Sequence, residues 1–403
     1  MGNKQTKVET SIEQEKYHFR QIGDTINASL SFNSFGSVIS QNSTYSVARP
    51  WSRVSRRRWK ESTLTLPYES SKTAWPVSQL ESSFLPEFPV TDSRNEQRFQ
   101  VLEEIRQGAF GKVYKVNDKE QDKIFALKVL SKSKVIKDNS VQQVKDEVQI
   151  QRVCGHHPFI VNCPLHWQSR KRLYIVSDFV KGGELYDLLK AYVTFPIELV
   201  KLYVAQIALA IDFLHNAGVI YRDLKPENVL LDGDGNAQLI DFGLSKWLKY
   251  GNATKTLCGT LKYMAPEVLT LKPYGHAVDW WSLGVLACLM LTNKYPAPAV
   301  DHENHTYCGQ KPGTLPTSVE LNVPCKDLLL RLLEIEPTRR LRSLRTLQTI
   351  ALYKGYNFEH VREKREKPND LLKSFYPNGP PTKDVDVEIE FFPNFDELVS
   401  IEV

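Results

Sequence analysis

The sequence lacks the features of a secreted, membrane-spanning or nucleic-acid-coating protein. Its six cysteines include no CxxC pair and no His/Cys cluster with metal-ligand spacing. The thiols therefore read as reduced, not as a disulfide framework or a zinc site. Long hydrophobic runs are missing as well. The longest, "WWSLGVLACLML" at residues 280–291, falls short of the ~20 residues that span a bilayer and reads as a buried core helix. No charge of one sign dominates: 52 Lys+Arg against 47 Asp+Glu leave a net +5, too mild for nucleic-acid binding as the main activity. No signal peptide opens the chain and no internal repeat is visible; the expectation is a cytoplasmic protein.

Three regions differ in composition, and 403 residues give material for two or three domains. Residues 1–95 are rich in Ser, Asn, Thr and Gln, a composition that buries too little apolar surface to fold alone, so disorder is expected. A basic run, "WSRVSRRRWK" at 51–60, interrupts it. The stretch closes on "FLPEFPV" at 84–90, where two prolines enforce an extended path and the aromatics are placed to dock on the domain after it. From Arg98 short runs alternate apolar and polar residues ("FQVLEEI", "KVYKV", "KIFALKVL") and read as antiparallel strands. A helix is expected over 141–153, then two strands up to "LYIVSDF". Beyond Gly182 and Gly183 the period turns helical, and "ELVKLYVAQIALAIDFLHNAG" stops at Gly218. The pattern predicts an α+β chain: a small β-rich lobe over 98–180 with one main helix, and a larger helical lobe over 181–358. The tail, 359–403, reads as irregular, with "PNGPP" as a linker and "EIEFFPNFDEL" as an aromatic-acidic finish.

Chemistry concentrates in a few stretches. "IRQGAFGKV" (105–113) has the look of a phosphate-covering glycine loop with Arg106 in place of its first glycine, and "FALK" ends on Lys128. "VIYRDLKPENVLL" (219–231) is followed by "IDFGLS" and "MAPE". In order and spacing these five motifs resemble the signature set of eukaryotic protein kinases, which implies the bilobal kinase fold with ATP and Mg2+ as cofactors. Phosphoryl transfer is mainly positioning and charge neutralisation, and the residue types fit it. Asp223 suits acceptance of the substrate hydroxyl's proton, and Lys225 suits neutralisation of the transferring group. Asn228 and Asp241 offer hard oxygen ligands for Mg2+. Lys128 suits the α- and β-phosphates, pinned by a helix carboxylate; in "VKDEVQIQ" helical register selects Glu147 over Asp146. The resemblance further implies a nucleotide pocket of Ile105, Gly108, Phe110, Gly111, Val113, Ala126, Lys128, Asp178, Val180, Glu184 and Leu230. It pairs Glu267 with Arg340 and sets Asp279 to hold the catalytic-loop backbone. Cys163 and Cys258 read as small buried hydrophobes.

The resemblance covers about residues 98–358. "YRDLKPEN", "CGT" with Thr260, "TLCGTLKYMAPE" and "DWWSLGV" are similar to the AGC group of serine/threonine kinases. Within it, the short tail and the "FLPEFPV" lead-in look most similar to the ribosomal-protein-S-six kinase-related (kinase-like) proteins. This similarity implies protein substrates and an activating phosphosite at Thr256, set by an upstream kinase and bound by Arg222. It gives "FFPNFDE" two readings. In one it is a hydrophobic motif, with Phe392 and Phe395 followed by an already negative Asp396, docking on the small lobe to steady the Glu147 helix. In the other it is a segment lying across the ATP site.

Departures from the pattern matter as much. Gly108 and Gly111 remain, so backbone N–H groups keep access to phosphate oxygens despite Arg106. Glu227 is implied to attract a substrate arginine, whereas Leu289, Lys262 and Leu261 stand where the group carries two glutamates and a proline. The expected preference is for a single arginine. Ser177 aligns with the gatekeeper beside the adenine and, being small, opens a back pocket. "MGNKQTK" matches the N-myristoylation pattern at Gly2, and one acyl chain needs a second signal such as the basic run against anionic lipid. The chain is thus expected to be a serine/threonine kinase associated with a membrane surface. The competing class is a catalytically weak kinase-fold scaffold that signals by binding proteins.

Overall fold

Alternating β-branched and polar residues between Phe99 and Asp178 form one antiparallel sheet of five strands in the order β1-β2-β3-β5-β4. The strands are β1 (Phe99–Gln107), β2 (Gly111–Asp118), β3 (Lys123–Ser131), β4 (Leu165–Gln168) and β5 (Arg172–Asp178). This computed structural model describes residues 79–90, 94–108, 110–249, 251–298, 310–317 and 320–381, all within the unit 56–403. Gly2, the basic run at 51–60, Phe392, Phe395 and Asp396 lie outside the described residues. Two register shifts in β1, between Val101 and Glu103 and between Glu104 and Arg106, bend the strand as bulges do and set Arg106 opposite Val113.

The sheet is covered by two small cores. In one, Trp167 stacks between Phe99 (5.7 Å) and Tyr174 (4.9 Å) and packs with Val116, Phe125, Leu127 and Val176. In the other, Leu130, Leu173 and Ile175 meet α1 (Lys132–Lys137) and α2 (Val141–Cys154) through Val135, Val144 and Val148. Residues Val144, Glu147, Val148 and Gln151 of α2 are buried, the i, i+3, i+4, i+7 stripe of a helix laid on a sheet.

The helical lobe is built on α4 (Ile197–Asn216), whose buried residues run along most of its length. It is preceded by α3 (Leu185–Tyr192) and ends as Gly218, at φ +80°, donates its N–H to the His215 carbonyl. The long apolar run becomes α5 (Ala277–Thr292), buried over its whole length. It stops at Asn293, in the left-handed region, whose N–H reaches the Leu289 carbonyl. Among the described residues no helix is long and apolar enough to cross a membrane. Against α5 lies α6 (Val323–Leu332). Two short ribbons, β6 (Val219–Ile220) with β9 (Lys246–Trp247) and β7 (Val229–Leu231) with β8 (Ala237–Leu239), frame residues 221–228.

The stretch after 358 is not irregular throughout. It forms α7 (Phe358–Arg362), capped by Asn357, and α8 (Pro368–Phe375), started by a proline at its first turn. At five and eight residues these helices span too few turns for a helical period to stand out in the sequence. They are held by a few anchors: Leu372 is buried, Tyr376 donates to the Thr194 carbonyl at 3.1 Å, and its ring meets Tyr192 edge-on.

Candidate active site

The loop between β6 and β7 is fixed from below. Asp279, fully buried on α5, accepts from the backbone N–H groups of Tyr221 (2.9 Å) and Arg222 (2.7 Å) and lies 2.8 Å from His215 Nε2. Two non-glycine residues here are left-handed, Arg222 at φ +71° and Asp241 at φ +56°. Such backbone survives where surrounding bonds over-determine it. Beyond the bend, Asp223 is held by three side chains. Thr260 Oγ1 donates to Oδ1 (2.8 Å), Asn228 Nδ2 donates to Oδ2 (2.7 Å), and Lys225 Nζ stands 3.4 Å from Oδ2. Burial raises the Asp223 carboxyl above its ordinary value of 3.8, against the pull of Lys225 and the Thr260 hydrogen bond.

The small lobe brings a second charge cluster to the cleft. Lys128 Nζ, on β3, lies 2.6 Å from Glu147 Oε1 on α2 and 3.7 Å from Asp241 Oδ1. Asp146 turns elsewhere and accepts from Gln142. Burial works against the Lys128 charge, but Glu147 and Asp241 outweigh it and hold the ammonium protonated. Glu147 is raised by its own burial, with Lys128 opposing. Asp241 is lowered, first by Lys128 and then by the Gly243 N–H, so its carboxylate is ionised.

Around this pair lie the residues expected to meet a nucleotide. Gly111 packs so tightly that a Cβ would sit 1.8 Å from the Val129 carbonyl oxygen, and its own carbonyl accepts from Gly108 N–H at 2.8 Å. Val113 faces Lys128 across the β2–β3 ladder, and Ala126 faces Ser177 across β3–β5. Ser177 and Val180 are half-buried. The Asp178 carboxylate is 2.8 Å from Lys123 Nζ, and Leu230 bridges to the backbone of Glu184. Ile105 is exposed, and Phe110 packs against the core between sheet and α2. Arg106 reaches across the cleft, its Nη1 3.6 Å from Glu184 Oε1.

Thr256 lies beside Thr254, with 3.3 Å between hydroxyls, and Lys246 Nζ approaches Thr254 at 3.4 Å. Tyr274 donates to the Thr256 carbonyl and accepts from Arg222 Nη1 at 3.4 Å. Arg222 Nε also binds the Leu244 carbonyl at 2.6 Å. Lys246 and Tyr274 carried no motif of their own; only the position of Lys246 shortly after Asp241-Phe-Gly could have drawn notice. Glu227 Oε2 is buried and unpartnered among the described residues, and burial raises the carboxyl. Leu289 is buried in the large core, and Lys262 Nζ sits over the Tyr295 ring at 4.9 Å. Farther down, Arg340 clamps Glu267 with two bonds of 2.6 and 2.9 Å, both residues buried.

The protein kinase domain family matches residues 99–350. The human "Ribosomal protein S6 kinase-related protein" is 40% identical over 285 residues, 71% of this chain and 69% of that protein. The "Serine/threonine-protein kinase AtPK2/AtPK19" of Arabidopsis thaliana is 37% identical over 67% of this chain and 58% of its own length. A cAMP-dependent protein kinase catalytic subunit of Dictyostelium discoideum is 36% identical over 72% of this chain and 45% of its own length.

Proposed function

The chain belongs to the protein kinase domain family, and from that premise we propose how its cleft carries out transfer to serine or threonine. It is a serine/threonine protein kinase of AGC type, acting on protein substrates with ATP and a divalent cation. The observation that carries the residue roles is the convergence of Lys128, Glu147 and Asp241 on one side of the cleft with Asp223, Lys225 and Asn228 on the other.

When bound, ATP supplies the phosphoryl group and the cation spreads its charge. The donor set fits Mg2+: Asp241 is held ionised, and Asn228, with Nδ2 committed to Asp223, is left with an amide oxygen, so both offer hard oxygen atoms. Lys128 binds phosphate oxygens while Glu147 fixes its position. Gly108 and Gly111 admit close backbone approach, and Val113, Ala126, Val180 and Leu230 line the base. Asp223 orients the substrate hydroxyl and accepts its proton at a carboxylate oxygen. Lys225 sits where it neutralises the transferred charge.

Glu227 supports an upstream arginine in the substrate, because its buried Oε2 has no partner among the described residues and a guanidinium would satisfy it. Arg106 already neutralises Glu184 nearby, in keeping with a preference for one arginine and no more. Thr256 is the proposed activating phosphosite for an upstream kinase, with Arg222 and Lys246 as the cations for its phosphate. The small gatekeeper Ser177 is proposed to admit bulky adenine-pocket inhibitors that Ser177→Met would exclude. Acylation at Gly2 with the basic run, and docking through Phe392, Phe395 and Asp396, rest on sequence alone. Loss of membrane fractionation in Gly2→Ala tests the first.

The direct test of the roles uses matched serine, threonine and tyrosine peptides, with and without an upstream arginine, in Mg2+. The expected result is turnover of serine and threonine peptides with arginine favoured, that preference lost in Glu227→Gln, and all turnover lost in Asp241→Asn. Full turnover in Asp241→Asn would overturn the assignment.

A further inference from the structure

We infer that residues 84–90, ahead of the first strand, form a built-in brace that positions Glu147 against Lys128. The inference rests on the role proposed above for that pair. Phe84 and Phe88 are both fully buried, wedged among Val135 of α1, Val144 and Val148 of α2, and Leu130, Leu173 and Ile175 of the sheet. Val144 and Val148 flank Glu147 on the helix, so what presses on them sets where the Glu147 carboxylate lies.

The backbone of the segment is bound as firmly as its rings. Lys145, also on α2, donates to the Leu85 carbonyl at 2.6 Å and pairs with Glu87 at 2.9 Å. Gln168 Nε2 donates to the carbonyls of Phe88 (2.5 Å) and Glu81 (3.1 Å), and its own N–H reaches the Pro89 carbonyl at 3.0 Å. Val90 adds a parallel bridge beside β4. Beneath them Lys132 is wholly buried. Its Nζ donates to Gln168 Oε1 and stands 5.3 Å over the Phe84 ring. A lysine taken out of water, with one amide, one ring and the charge of Glu81 to compensate it, makes sense if the segment is a resident part of the lobe, because without it the ammonium would lose the ring above it.

The consequence concerns the aromatic tail. A hydrophobic motif at Phe392 and Phe395 would need a groove on this lobe beside α2, and the groove there is filled by Phe84 and Phe88. This chain therefore carries the support for Glu147 in front of its kinase domain, and catalysis does not depend on tail docking at that place. Phe84 and Phe88 are positioning residues: they act on phosphoryl transfer through α2.

The test compares four full-length variants with the wild type in a peptide phosphorylation assay: Phe84→Ala/Phe88→Ala, Lys145→Ala, Phe392→Ala/Phe395→Ala and Glu147→Gln. Emptying the groove is expected to lower kcat/KM for ATP about 100-fold, the scale of a small misplacement at the cleft. A synthetic peptide of residues 80–90, at the about millimolar level that a short tether would supply, is expected to restore at least about tenfold of that and to leave the wild type unchanged. Lys145→Ala keeps the aromatics and is expected to lose about tenfold, with circular dichroism unchanged. The tail variant is expected to stay within about twofold. Wild-type activity in both Lys145→Ala and the phenylalanine variant overturns the brace, as does a folded phenylalanine variant that the peptide does not rescue. Should the phenylalanine variant fail to fold, Lys145→Ala decides. Wild-type activity in Glu147→Gln would instead overturn the reading of the Lys128 pair itself.

Discussion

The two halves of the cleft are supported in different ways. The large-lobe half is held by its own core: Asp279 binds two successive backbone N–H groups from a fully buried position, and Asp223 is gripped by neighbours within the loop and by Thr260. The small-lobe half depends on α2, a helix whose outer support comes from residues 84–90. The first half is tied to buried groups of its own lobe, whereas the second rests on a helix whose outer face is held by a segment remote from the cleft, so its support can be altered without touching a group in the cleft.

Breaking the rigid half gives the largest expected effect. Asp279→Ala orphans three buried groups, so it is expected to abolish transfer and to cost about 3–5 kcal/mol, the scale for breaking a buried charged network; calorimetry of the purified variant checks this. The contrasting change is Glu147→Ala. It is expected to lower kcat about 100-fold with little movement of the melting temperature, since Lys128 keeps Asp241. Equal destabilisation by the two variants would erase the contrast.

Much of this contrast is legible in the sequence on one side only. Asp223, Lys225 and Asn228 stand on one short bend, and Asp241 follows just past the β7–β8 ribbon that returns the chain to it, so the motif can be read without a fold. The choice of Glu147 over Asp146 needs only helical register. Lys132 and Gln168 could not be found this way. A lysine at the start of a charged helix reads as solvated, and its burial depends on a phenylalanine about fifty positions earlier in the chain. The "FLPEFPV" segment reads as a docking element, but the surface it meets is created by tertiary packing. The helices after 358 escape notice because they are short: five and eight residues cover too few turns to set a helical period apart from the irregular tail around them. The bridge from Arg106 to Glu184 joins two lobes, and no local pattern announces it.

Smaller effects sharpen the comparison. Arg106→Gly removes a half-exposed pair worth at most ~1 kcal/mol, so peptides with an added upstream arginine are expected to gain about threefold in kcat/KM relative to those without. The pH profile gives the finest test. Burial raises Asp223 above 3.8 and the Thr260 hydrogen bond opposes that rise. The base works only when ionised, so Thr260→Val is expected to move the acid limb of kcat/KM to higher pH. An unmoved limb would mean that another group sets it.

The most direct test of the whole account is transfer from labelled ATP in Mg2+ by the purified full-length chain, beside Asp223→Asn, with Thr256 phosphorylated in both. The predicted result is incorporation into the protein and into arginine-containing peptides that disappears in the variant. Equal, background-level signal from two folded proteins would contradict it and leave the cleft as the frame of a binding protein.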